Sequence, residues 1–203
     1  MKLAGDENVD LYAVDEIISA DLLVVSNDLK IERINTLKNI LEKKKKIIVT
    51  HVQAVLKPLI SPELFKKQII NLKTNKIINR EELIKQLVII GYNRTPITFQ
   101  TGDFSVRGEV IDIFPILHEK PVRITFFDDE IESIRFFDVK DQLSLEKIEE
   151  IDIYPIQELI YNEEQKKEVI SKIKKHNNPH IQELLKDVEN HKNDERVNKL
   201  INY

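Results

Sequence analysis

Apolar and polar residues alternate most regularly in the middle of the chain. Over residues 102–114 and again over 121–138, apolar positions recur at every second residue, broken by Gly, Pro and paired Asp. A period of two with such breaks predicts three or four short antiparallel strands. Asp128-Asp129 is expected in a hairpin turn, where Asp side chains bond their own backbone. Gly102 and Gly108 flank one strand and suit turns or a bulge. Over 122–127 the alternation sends Val122, Ile124 and Phe126 to one face and Arg123, Thr125 and Phe127 to the other. The first set makes a core face. The second offers an arginine and an aromatic either to a partner or to a covering helix at 80–90. In the preceding strand Arg107 and Glu109 fall on one side, Val106 and Val110 on the other. By the same alternation Glu132 and Arg135 point to opposite faces of their strand.

Upstream, residues 9–72 read as a partial α/β unit. A strand is predicted over 10–14. A helix capped at Asn27-Asp28 follows, with Ile31, Ile34, Leu37, Ile40 and Leu41 on one face. Lysines 43–46 then lead to a short buried strand, Ile47-Ile48-Val49-Thr50, and a short helix over 51–56 stops before Pro58. Ser61-Pro62-Glu63 opens another helix, with Pro at its first position. Residues 69–73 read as a strand leaving the unit. Asn79-Arg80-Glu81-Glu82 has the form of a capping box. Its helix turns Leu83, Ile84, Leu87, Val88 and Ile90 inward and ends at Gly91. After the sheet, residues 147–154 form a last strand closed by Pro155. Two charged helices follow, over about 163–175 and 179–192, each with a narrow apolar stripe. The fold class is therefore α/β (α+β). A partial helicase-like unit (1–72) precedes a small, mainly antiparallel β domain with a flanking helix (73–157) and C-terminal helices (158–203).

Composition narrows the functional classes. A net charge of -4 argues against a dedicated nucleic-acid binder, and the absence of cysteine removes disulfides and thiolate metal sites. There is no apolar run of membrane-spanning length and no signal-peptide pattern, which points to a cytoplasmic protein without membrane partners. The opening residues run directly into a strand-like segment, as an excised fragment would.

Candidate chemistry is sparse. A phosphate loop is lacking: the four glycines stand at 5, 91, 102 and 108, and none opens a helix in that pattern. His176, His180 and His191 do not complete a zinc set, and His51, Ser61 and Asp112 form no nucleophile–base arrangement. Lys43 to Lys46 could contact phosphate, but a solvated loop between helix and strand is the better account of them. What stands out is concentration: Phe104, Phe114, Phe126, Phe127, Phe136 and Phe137 share the sheet region with Arg107, Arg123 and Arg135. Arginine beside an exposed aromatic is the composition of protein-interface anchors.

The ordered run Gly-Asp-Phe-Ser-Val-Arg-Gly (102–108), Ile-Asp-Ile-Phe-Pro (111–115) and Pro-Val-Arg-Ile-Thr-Phe-Phe-Asp-Asp-Glu-Ile-Glu-Ser-Ile-Arg-Phe-Phe-Asp (121–138) resembles the UvrB-homology region of the bacterial transcription-repair coupling factor family. Residues 84–94 and 144–155 resemble the approach to and exit from the same domain, and weaker similarity extends over most of the chain. The resemblance implies that residues up to about 72 end an ATPase-like domain that has lost ATP binding. It implies that 73–157 dock UvrA, the damage-recognition ATPase of nucleotide excision repair. Position by position, Arg107, Arg123 and Phe127 match residues with which the family holds UvrA; Glu132 and Arg135 are secondary candidates. The resemblance implies no cofactor and no catalysis in this segment. ATP and Mg belong to the motor of the full-length family protein, an ATP-dependent DNA translocase whose further partners are RNA polymerase and double-stranded DNA. Arg107-Gly108-Glu109 departs from the family's frequent Arg-Gly-Gly towards UvrB, so the equivalent piece of UvrB is an alternative, as is a DNA-binding helicase accessory domain. The missing phosphate loop and aromatic hairpin favour the coupling factor. A module that masks its own docking face is a third reading.

Overall fold

The structure, a computed structural model, describes residues 8–13, 27–56, 59–156, 158 and 171. The chain divides into two units, Met1–Glu158 and Leu159–Tyr203, and the elements below belong to the first. Apart from Ser171, the two helices predicted beyond 160 lie outside the described residues, as do the histidines at 176, 180 and 191.

Strand β1 (Val9–Tyr12) pairs in parallel with β2 (Ile47–Thr50), joined through helix α1 (Asn27–Leu41). The predicted strand at 47–50 is present, but it is not buried: Ile47, Ile48 and Val49 are all exposed. An apolar run of that length fits any core strand, and only its neighbours decide whether it is covered. Helix α1 buries Ile34 and Leu37, whereas Ile40, predicted inward, is exposed. Its buried side also carries a polar seam, since Arg33, Thr36 and Asn39 are buried. Asn39 donates to Asp10 at 2.8 Å and Thr36 to the Leu11 carbonyl at 3.1 Å. Arg33 bonds the Ala13 carbonyl and Glu158. These bonds satisfy polar groups that would otherwise be costly to bury.

Helix α2 (Val52–Leu56) precedes α3 (Pro62–Gln68). Ser61 caps α3, accepting from the Leu64 amide at 3.3 Å. Strand β3 (Ile70–Lys73) leads to α4 (Arg80–Ile89), where Asn79 accepts from the Glu82 amide at 3.0 Å. The α4 carboxyl end closes as a Schellman turn. Gly91 has φ of 96°, its amide bonds the Val88 carbonyl, and the Tyr92 amide bonds that of Leu87. Leu83, Ile84, Leu87 and Ile90 are buried; Val88, predicted inward, is exposed.

A six-stranded sheet runs in chain order through β4 (Asn93–Arg94), β5 (Asp103–Arg107), β6 (Val110–Ile113), β7 (Val122–Phe127), β8 (Glu130–Phe137) and β9 (Ser144–Ile148), and its middle four are the antiparallel strands predicted over 102–138. All neighbours are antiparallel except β4 and β5. Gly108, with φ of 57°, and Glu109 make a two-residue hairpin, as do Asp128 and Asp129. Glu109 therefore sits in a turn rather than on a strand face with Arg107, and it pairs with Arg80 at 2.9 Å. The last strand predicted over 147–154 is two. The chain bends at Glu149, whose carbonyl accepts from the Thr74 amide, and β10 (Glu150–Ile153) leaves the large sheet to pair with β3.

The start of α4 is tied to both hairpin tips, through Arg80 to the Gly108 carbonyl at 2.9 Å and through the Arg80 amide to Asp129 at 3.3 Å. On the sheet Phe104, Ile111, Ile124, Phe126, Ile131 and Ile134 are buried. Tyr12, Ile34, Leu37, Ala54, Phe65, Ile116 and Tyr154 form a further apolar cluster that joins the α/β elements to the segments flanking the sheet. The buried Tyr92 hydroxyl ties those segments together, donating to the Tyr154 carbonyl at 3.0 Å and accepting from the Ile116 amide at 3.2 Å. Burial pushes its ionisation well above the ordinary tyrosine range.

Candidate protein-docking face

On the face of the sheet opposite Ile111 and Ile124, one row of side chains crosses five strands. Ser105 stands opposite Asp112, Asp112 opposite Arg123, Arg123 opposite Arg135, and Arg135 opposite Lys147. Asp112 stands second in the row and is only 1% exposed. Arg123 meets it with a two-pronged contact, Nε to Oδ1 at 2.8 Å and Nη2 to Oδ2 at 3.0 Å. Arg107, at the end of β5, adds Nη2 to Oδ2 at 2.6 Å. A buried carboxylate is tolerated because two guanidinium groups neutralise it with charge-assisted hydrogen bonds.

Further contacts fix the row. The Arg123 guanidinium lies 4.6 Å from the centre of the buried Phe137 ring, and its Nη1 donates to the Gln142 carbonyl at 3.1 Å. The hydrogen bond to Asp112, opposed by partial burial, holds the Arg123 ionisation above its ordinary value, so its charge is permanent. At the other end the buried Thr98 hydroxyl lies 3.0 Å from Ser105 Oγ and 3.2 Å from the Asp112 carbonyl. Thr98 thereby pins the 95–101 loop against the sheet, with its neighbours Ile97 and Phe99 exposed.

The sequence-predicted residues are thus distributed unequally. Arg107 and Arg123 are brought together through Asp112, but Arg123 has a side chain only 20% exposed, against 48% for Arg107. Arg123 is largely committed inside the protein, and Arg107 is the more open of the two. Phe127 lies at the end of β7 beside the Asp128-Asp129 turn and is 71% exposed. Helix α4 therefore does not cover it, and the covering-helix alternative falls. Arg135 joins the row next to Arg123, while Glu132 does not.

The expected opposition of Glu132 and Arg135 also fails. Thr125 pairs with Ser133 and Phe126 with Ile131, which leaves Glu132 as an extra residue in a bulge. The bulge shifts the phase of β8, so that Ile131 and Ile134 are both buried while Glu132 and Arg135 are both exposed. Sequence reasoning missed Asp112 and Lys147 as members of this face. A signal for Asp112 existed: it is the one charged residue of Val110-Ile111-Asp112-Ile113 and alternates with two isoleucines. Lys147 carried none, because its place depends on the register of β9 and its bulge.

The family model described as the UvrB interaction domain matches residues 70–159. A transcription-repair-coupling factor of Bacillus subtilis (strain 168) is 36% identical over 171 residues, 84% of this chain and 14% of that protein. Its counterpart in Staphylococcus aureus (strain bovine RF122 / ET3-1) is 37% identical over 158 residues, 78% of this chain and 13% of that protein. Another, from Staphylococcus aureus (strain MRSA252), is 36% identical over 168 residues. The chain thus spans only about a seventh of the length of these relatives, and the matched domain contains the whole six-stranded sheet. With an α+β fold whose matched part is a UvrB interaction domain, the chain belongs to the transcription-repair-coupling factor family.

Proposed function

We propose that this chain is the UvrA-docking module of a transcription-repair coupling factor, and that it recruits nucleotide excision repair to stalled RNA polymerase. Residues 73–157 form the docking domain, 1–72 the end of an ATPase-like domain without ATP binding, and 158–203 the start of a helical part. The observation that carries this reading is the pairing of exposures on one sheet face. A phenylalanine 71% open to solvent lies on the same sheet face as two arginines held on a buried aspartate. An exposed Phe on a rigid strand loses little entropy on burial, and a prepositioned guanidinium offers carboxylates a directional contact. The matched UvrB interaction domain supports a UvrA-like protein as the partner, and Arg107 and Phe127 call for an acidic, partly apolar surface on it.

In this reading the module works by recognition, in the cytoplasm, and needs no cofactor of its own. ATP and Mg serve the motor of the full-length protein, which also engages RNA polymerase and double-stranded DNA. Calorimetric titration of the chain with purified UvrA tests the proposal. Folded Phe127→Ala and Arg107→Ala variants are each expected to lose on the order of 2 kcal/mol of binding free energy. A well-folded wild type that does not bind UvrA would overturn the function. Binding unchanged in both variants would move the docking surface elsewhere on the domain.

A further inference from the structure

The row across the sheet places cations where a sheet gains nothing from them. Arg123 stands directly opposite Arg135, and Arg135 directly opposite Lys147. Directly opposed residues have their Cβ atoms roughly 4.5–5.5 Å apart, and like charges at that spacing destabilise a sheet. Asp112 neutralises the start of the row, but its contacts are with Arg107 and Arg123. Among the described residues, no carboxylate forms an ion pair with Arg135 or Lys147, and both are exposed. In a chain of net charge -4, three aligned cations on one sheet face are a local reversal of sign.

We propose that Arg135 and Lys147 extend the docking face across β8 and β9, continuing the row past the committed Arg123 as an exposed cationic pair that receives carboxylates of the UvrA-like partner. The proposal rests on the docking reading above and adds to it the residues and the charge pattern of the partner. The tip of the sheet argues for a protein surface rather than a nucleic-acid backbone. Phe127 is followed by Asp128, Asp129 and Glu130, whose charges would repel phosphates beside it. A protein can instead set an apolar patch against Phe127 and discrete carboxylates against the row.

A residue that stabilises the fold loses stability when truncated, but a residue kept for a partner against like-charge repulsion does not. Arg135→Ala, Lys147→Ala and the double variant are compared with wild type and Phe127→Ala by calorimetry against UvrA and by thermal unfolding. The double variant is expected to bind on the order of tenfold more weakly, with an unfolding temperature equal to or above that of wild type. Its affinity should also fall less steeply with added salt. Wild-type affinity in the double variant, while Phe127→Ala binds weakly, would overturn the row and leave the docking reading intact. A lowered unfolding temperature alongside weaker binding would reduce both residues to structural parts and also overturn it. Failure of wild type to bind UvrA would remove the docking reading and the row together. A loss confined to binding of a duplex DNA oligonucleotide would replace the protein partner with phosphate.

Discussion

Asp112 divides its two arginines unequally, taking two hydrogen bonds from Arg123 and one from Arg107. Arg123 also covers Phe137 and bonds the Gln142 carbonyl, whereas the side chain of Arg107 is nearly half exposed. The same truncation therefore has different consequences at the two positions. Arg123→Ala leaves a 1% exposed carboxylate with a single partner and uncovers an aromatic ring, and should cost about 3 kcal/mol of folding stability. Arg107→Ala leaves the two-pronged contact in place and should cost about 1 kcal/mol or less. Urea unfolding of the two variants measures the difference, and equal losses would show that Asp112 does not depend chiefly on Arg123. If the difference holds, weakened UvrA binding by Arg123→Ala reports partly on a disturbed face, and Arg107→Ala is the cleaner probe of contact. Residue types and the family resemblance nominated both arginines; their unequal roles depend on a carboxylate carried by the strand between theirs.

At the scale of elements, the legible features were those written in local chemistry. Asn79 and Ser61 cap their helices, Gly91 ends α4, and both two-residue hairpins fall where Gly108 and Asp128-Asp129 predict them. The phase of β7 was legible too, because that strand itself runs without an extra residue: Val122, Ile124 and Phe126 are buried. What was not legible depends on a partner strand. Strict alternation along β8 fails at Glu132, and the predicted last strand splits at Glu149 because its two halves pair with different sheets. Deleting Glu132 provides a sharp check on the bulge. With Glu132 removed, Ile131 and Ile134 stand two apart, so a regular ladder without the bulge holds both on the core face. Both fully buried isoleucines should stay inside, and the deletion should cost about 1 kcal/mol or less, read as a nearly unchanged urea midpoint. A midpoint lowered by roughly the 2–4 kcal/mol of a lost buried isoleucine would mean that Glu132 is not the extra residue.

Across the whole described unit, the core shared by α1, α3 and the segments flanking the sheet also encloses a titratable group. His118 follows the core residues Ile116 and Leu117 and faces Phe136, with ring centres 6.0 Å apart. It lines an open groove of about 360 Å³ with Lys38 from α1, Glu42, Asn71 and Asp152. Partial burial, helped by the charge of Lys38 and opposed by that of Asp152, lowers its ionisation below the ordinary value of 6.5. The neutral ring is therefore favoured in the folded state. Between the lowered value and 6.5 the unfolded chain binds more protons at this position, so stability rises with pH through that window. Above it both states are neutral here, and the full contribution is present. Acidification from pH 7.5 to below 6.5 should thus lower the urea midpoint before carboxylates begin to titrate. His118→Gln should flatten that part of the profile, because Gln has no proton to gain. Parallel wild-type and variant profiles would mean that folding leaves the protonation of His118 unchanged, and that acid sensitivity near neutrality arises outside this groove.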